Sequence, residues 1–151
     1  MSVLITNRQN SQKIVPEKVK KAAKAALNAL ECPDGELSLL IVDDAEIAVF
    51  NRDYLRREGP TNVIAFPMRE GEFGNINPLL LGDVLISSET AQREAEFMGI
   101  GTEERFMQLL IHGILHLFGY DHENDEEEAV RMETKSEELL TLISADSIER
   151  Q

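Results

Sequence analysis

Residues 103–118, EERFMQLLIHGILHLF, leave little choice about where they go in a folded chain. On a helix turning about 100° per residue, Phe106, Leu109, Leu110, Gly113, Ile114 and Leu117 form one broad apolar stripe. Met107, Ile111, Leu115 and Phe118 carry it further round, until only a narrow polar line is left: Arg105, Gln108, His112 and His116. A helix apolar on nearly every side belongs at the centre of a molecule. Its polar line must meet something that satisfies it, because an unpaired buried polar group costs roughly 1–3 kcal/mol. A cleft holding a metal ion meets that need.

All three histidines of the chain lie in HGILHLFGYDH, residues 112–122. Their spacing, with Gly119 between the second and third, matches the metalloprotease string H-E-x-x-H-x-x-G-x-x-H everywhere but at one position. Gly113 stands where the protease keeps its glutamate. Gly119 provides a left-handed helix end, and the following Tyr120-Asp121 turn brings His122 back over the pair. Three imidazoles with an open fourth position make the coordination of a catalytic zinc, not of a closed structural one. Nickel, copper and iron also accept imidazole ligands. Asp121 is a candidate to orient one of the rings. A lone H-x-x-x-H on a helix is often an ordinary core feature. That reading loses ground when a chain's only three histidines fall in this register.

A base-free metal site restricts the chemistry. Bound zinc lowers the pKa of its water to about 7, so hydroxide needs no protein base. A peptide is a demanding target, since its amine leaving group must be protonated, and Gly113 removes the glutamate that does so. A phosphodiester has the better leaving group, and an arginine stabilises its charge. RNA also carries its own nucleophile, the 2′-hydroxyl. NRDYLRREGPTN, residues 51–62, places Arg52, Arg56 and Arg57 in or beside a helix end; ordinary solvent exposure is their alternative reading.

The 151 residues suit one domain, 1–151, with room for a core that needs no staples. The single Cys32 excludes an internal disulfide and points to a reducing compartment. The opening MSVLITNRQN does not read as a signal peptide, and no apolar run nears the ~18 residues of a membrane span. Cytoplasm is the expected location. Residues 1–70 balance ten Lys/Arg against ten Asp/Glu; residues 71–151 set five against eighteen, which is the whole net charge of −13. RNA, if it binds, must approach through the first half, because phosphate contacts need cations. Lys18, Lys20, Lys21 and Lys24 are either a solvated face or part of such an approach.

Along the chain, VLITN reads as a strand and Pro16 starts a helix with Val19, Ala22, Ala23, Ala26, Leu27 and Leu30 on one face. LSLLIV is a buried strand. Asp43 and Glu46 open a helix with Ile47, Phe50, Tyr54 and Leu55 inward. VIAF is a strand stopped by Pro67, residues 69–78 are a loop, and LLLGDVLIS holds a fourth strand. Ser87 or Ser88 caps a helix ended by Gly99, and Thr102 caps the histidine helix. Residues 126–143 form a last helix with Val130, Met132, Leu139, Leu140 and Leu142 buried. ENDEEE reads as a solvated helix start. Helices separate two strand pairs but not the third, with 67–80 the place for an antiparallel connection. The expected fold is therefore α+β: a single domain with a mixed four-stranded sheet packed by about five helices, one of them a zincin-like histidine helix.

HGILHLFGYDH resembles the H-G-x-L-H-L-x-G-Y-D-H signature of the YbeY family, bacterial rRNA-maturation endoribonucleases. GPTNVIAFP, 59–67, is similar to that family's P-T-D/N-V-L-S-F-P block, and GDVLIS, 82–87, to its G-D-I-x-I-S block. Order and spacing agree over most of the chain. The resemblance implies the mixed sheet and one Zn2+ held by His112, His116 and His122. It further implies cleavage of single-stranded RNA, maturation of 16S rRNA 3′ ends and quality control of the small ribosomal subunit. Cytoplasmic location and contact with ribosomal components, including the GTPase Era, follow as expectations. One position departs: the family arginine after the tyrosine matching Tyr54 is here Leu55, itself at core spacing. Its role falls to Arg56 or Arg57, and to Arg57 if the helix ends before it. Asp83 joins Asp121 as a weaker candidate for the ligand surroundings or RNA contact. Two rivals stand beside this reading. One is a metalloprotease using Asp83, Asp121 or Glu123 as base; the other is a non-catalytic assembly factor with a structural zinc.

Overall fold

The computed structural model describes residues 3–68, 79–120 and 125–149. Strands β1 (Val3–Asn7), β2 (Glu36–Val42), β3 (Val63–Pro67) and β4 (Leu80–Ser87) form one sheet in the order β1-β2-β4-β3. β1, β2 and β4 are parallel, and β3 runs antiparallel to β4 with Val63 opposite Ile86 and Phe66 opposite Asp83. The mixed sheet and the antiparallel pair around residues 67–80 are as the element count predicts. β3 is an edge strand, the place where Pro67 costs no ladder hydrogen bond.

The helices are α1 (Pro16–Ala29), α2 (Asp44–Leu55), α3 (Ser88–Met98), α4 (Thr102–Leu117) and α5 (Glu126–Glu149). Local chemistry sets their ends. Pro16 opens α1, Asp43 accepts the Glu46 N–H at 2.8 Å to cap α2, and Ser87 accepts the Thr90 N–H to cap α3. The cap of α4 is Gly101, not Thr102, whose side chain makes no cap bond; Thr102 is the first helical residue.

Each sheet face has its own core. Leu39, Ile41, Val84 and Ile86 pack with α1, α4 and α5, whereas Val42, Leu85 and Ile64 pack with Ile47 of α2. Period-two alternation along the strands assigns the faces. α4 touches β3, β4, α1, α3 and α5; Phe106, Leu109, Leu110, Gly113, Ile114 and Leu117 of its anticipated stripe are buried, and Met107 and Phe118 at its margin are half-buried. Some expected core positions are not core. Tyr54, Leu55, Val130 and Leu142 are exposed, while Ile47, Met132 and Leu139 carry the burial of their helices. The reason is shared: α2 and α5 lie on the outside, so each buries only a narrow stripe.

Candidate functional site

α4 presents its polar line as expected. Arg105 donates to Glu94 of α3 and, through Nη1, to Gln108 Oε1 at 2.8 Å. Glu94 also accepts from Asn62, just before β3. Farther along, the Nε2 atoms of His112 and His116 face each other 3.1 Å apart, with the rings nearly edge-on at 77°. Two imidazole lone pairs aimed at one another at that distance require a proton or a cation between them. Zinc–nitrogen bonds of about 2.0–2.1 Å at a tetrahedral angle put two ligand atoms roughly 3.3–3.4 Å apart. The pair therefore fits the donor set of a first-row metal to within a few tenths of an ångström.

α4 ends at Leu117, and Gly119 takes φ 90°, so that the Gly119 and Tyr120 N–H groups close back on His116 O and Leu115 O. This is the predicted turn after the second histidine. His122 and Asp121 lie outside the described residues, as does Glu123. Among the described residues His112 and His116 are a pair, and no group of three metal-ligating side chains forms.

An open cleft of about 670 Å³ runs beside the pair, within the usual range of roughly 300–1,000 Å³ for ligand sites. His112, His116 and Tyr120 bound one side, Leu55 and Arg57 another, and residues 61–65 and 67 line the β3 edge. Arg57 reaches this place because α2 stops early. Arg56 takes the left-handed conformation at φ 57° and turns the chain. Of the two arginines, Arg57 is the one that lines the cleft. Every other described arginine is paired with a carboxylate: Arg8, Arg52, Arg93, Arg105 and Arg131. Arg56 and Arg57 form no ion pair among the described residues, so the cleft holds a cation that no described carboxylate neutralises.

Leu55 is 43% exposed and also lines the cleft, which corrects the expectation that it is core. Sequence reasoning missed Asn51. It is buried; its side-chain amide donates to Gly59 O at 2.9 Å, and its main-chain carbonyl accepts the Arg57 N–H at 3.1 Å. Its side chain thus ties the turn after Arg57 back to α2, while its backbone holds Arg57 itself. Its only sequence signal is a polar residue four positions after Ile47, on the inward side of the helix.

Gly113 lies against the sheet. A Cβ there would stand 2.6 Å from Val84 Cγ1 and 3.2 Å from Val63 Cγ2. Since Val84 points to α4, strand alternation turns Asp83 to the opposite face, in register with Ser38 and Phe66. Asp83 does not line the cleft, and the structure does not bring it to the histidine pair. Burial pushes its carboxyl above the ordinary value.

Residues 4–144 match the family described as Endoribonuclease YbeY. The chain is 55% identical over 140 residues to an Endoribonuclease YbeY of Syntrophotalea carbinolica, covering 92% of this chain and 93% of that one. It is 48% identical to the Geobacter metallireducens protein of that name, over 98% and 99% of the two chains. The solution structure of TM1509 from Thermotoga maritima superposes with a TM-score of 0.70 at 22% identity, over 98% of this chain and 93% of that one, which speaks for the fold. No described helix is long and apolar enough to cross a membrane.

Proposed function

We propose, from the premise that this chain belongs to the Endoribonuclease YbeY family, that it is a zinc-dependent, single-strand-specific endoribonuclease. Its task in this reading is 16S rRNA 3′-end maturation and small-subunit quality control in the cytoplasm, in contact with ribosomal components including Era. The observation that carries the chemistry is the facing Nε2 pair of His112 and His116 in a cleft shared with Arg57, which has no ion pair among the described residues.

His112 and His116, with His122, would hold the metal. When bound, zinc supplies a nucleophile at neutral pH and Lewis acidity toward a phosphoryl oxygen. The chain's own residues do the rest. Arg57 binds the scissile phosphate and offsets the charge that grows on it as the nucleophile adds. Asn51 holds the Arg57 segment in place, and the edge of β3 forms the bed on which an extended strand lies. The packing at Gly113 supports this reading over a metalloprotease: the position that carries the protease's proton-handling glutamate has no room for a side chain.

The test is mapping of 16S rRNA 3′ ends in cells lacking the protein, complemented with wild type or His116→Ala. Restoration of mature ends by wild type alone is expected. Equal rescue by both would leave the non-catalytic assembly factor as the better account.

A further inference from the structure

Beside the cleft, on the α2 side of the sheet, stands an aromatic stack that the chemistry above does not use. Tyr54 is 66% exposed. It stacks on Phe50 with centroids 5.8 Å apart and planes 19° from parallel, and it meets Phe66 of β3 edge-on at 5.5 Å. Phe50 and Phe66 in turn pack on the buried Val42, Ile47, Ile64 and Leu85. The exposed ring is thus fixed from below and from the side, with its outer surface in water. Leu55, next in sequence, lines the histidine cleft, as does Arg57.

We propose that Tyr54 is a nucleobase platform: a base of single-stranded RNA stacks on it while the adjoining backbone crosses the β3 edge past Arg57 to the histidines. This rests on the endoribonuclease reading and adds a base-binding subsite to it. Single-strand binders combine a cation for the backbone with an aromatic face for the base, and every base has a π-face to offer. The chemistry explains two features together. An arginine with no ion pair among the described residues suits a phosphate, and a preordered ring exposed to water suits a base, since little freedom is lost when the base arrives. It also gives single-strand preference a physical cause, because a base inside a duplex cannot reach the ring.

The experiment compares wild type with Tyr54→Phe, Tyr54→Leu and Tyr54→Ala on a single-stranded oligoribonucleotide carrying 2-aminopurine, and on a set with one abasic site moved along the strand. Cleavage constants are measured, with anisotropy binding and circular dichroism on the same samples. The expected result is a KM about fivefold or more higher in Tyr54→Ala and Tyr54→Leu, with kcat and fold unchanged and Tyr54→Phe near wild type. Quenching of 2-aminopurine is lost in the same two variants, and one abasic position erases their difference from wild type. Tyr54→Leu equal to Tyr54→Phe would show that the ring merely covers Phe50 and Phe66, and the platform falls. A defect that persists at every abasic position overturns it too. RNA bound in a Tyr54-dependent way but left uncut by wild type keeps the platform and removes the endoribonuclease reading instead.

Discussion

Val84 and the backbone of Gly113 are packed so closely that a methyl group at 113 would stand 2.6 Å from Val84 Cγ1. Val84 is fully buried in a central strand and has nowhere to go. Gly113→Ala would restore about 1 kcal/mol of helix propensity yet force α4 off the sheet. The expected net loss is about 1–2 kcal/mol, read by urea unfolding. Gly113→Glu should lose more and hydrolyse no casein. Wild-type stability in Gly113→Ala would mean that α4 is not seated as described.

Arg57 and Arg56 should differ. Arg57→Ala is expected to lower kcat/KM on RNA roughly tenfold to a hundredfold, the range of a lost charge-assisted hydrogen bond, and Arg56→Ala less than about threefold. Asn51→Ala should reproduce part of the Arg57 defect, and the double variant should be no worse than Arg57→Ala alone, because the Asn51 side chain acts only by holding the turn that positions Arg57. Additive losses would separate Asn51 from the site.

Salt dependence tests how few cations serve the RNA. Each phosphate neutralised on a single strand contributes a slope of about −0.7 to log K against log salt. With Arg57 in the cleft and Arg56 beside it, the slope should lie between about −0.7 and −1.4. A slope steeper than about −3 would call for a larger basic surface, such as the lysines of α1.

Acid should weaken the fold through Asp44. Burial pushes this carboxyl up, but hydrogen bonds from Ser87, Thr90 and Arg93, with the charge of Arg93, outweigh it and hold the group below its ordinary 3.8. A depressed folded pKa stabilises above the unfolded value and is lost as pH falls through the folded one. Asp44→Asn should therefore lower Tm at pH 7 and flatten its decline below about pH 4. Asp83 has the opposite sign, because burial raises its pKa. Its ionised form costs stability at neutral pH, so Asp83→Asn should raise Tm there. Melting curves between pH 2.5 and 7, on the order of six points, decide both.

What the sequence made legible follows from how strongly each segment was constrained. α4 was readable almost residue by residue, since a helix apolar on nearly all sides has one possible placement. The antiparallel β3–β4 pair was readable because no helix separates the strands. The faces of α2 and α5 were not: Tyr54, Leu55, Val130 and Leu142 fit a helical period yet stay exposed, because peripheral helices bury fewer residues than their pattern offers. The Asn62–Glu94–Arg105 links were invisible because they join residues far apart in sequence, and Asn51 because its bond to Gly59 depends on how the chain turns after α2. The role of Gly113 was read as the absence of a base. Its packing against Val84 is a tertiary contact that no local pattern carries.

The central claim is that one ion, gripped by the histidines of the α4 end, is required for RNA cleavage. The direct measurement is cleavage of single-stranded RNA by chelator-stripped protein as zinc is returned stepwise, with bound metal counted at each step. The account predicts a folded, inactive apoprotein whose activity rises in proportion to zinc and levels off near one ion per chain, with no recovery in His116→Ala. Full activity in metal-free protein would contradict it.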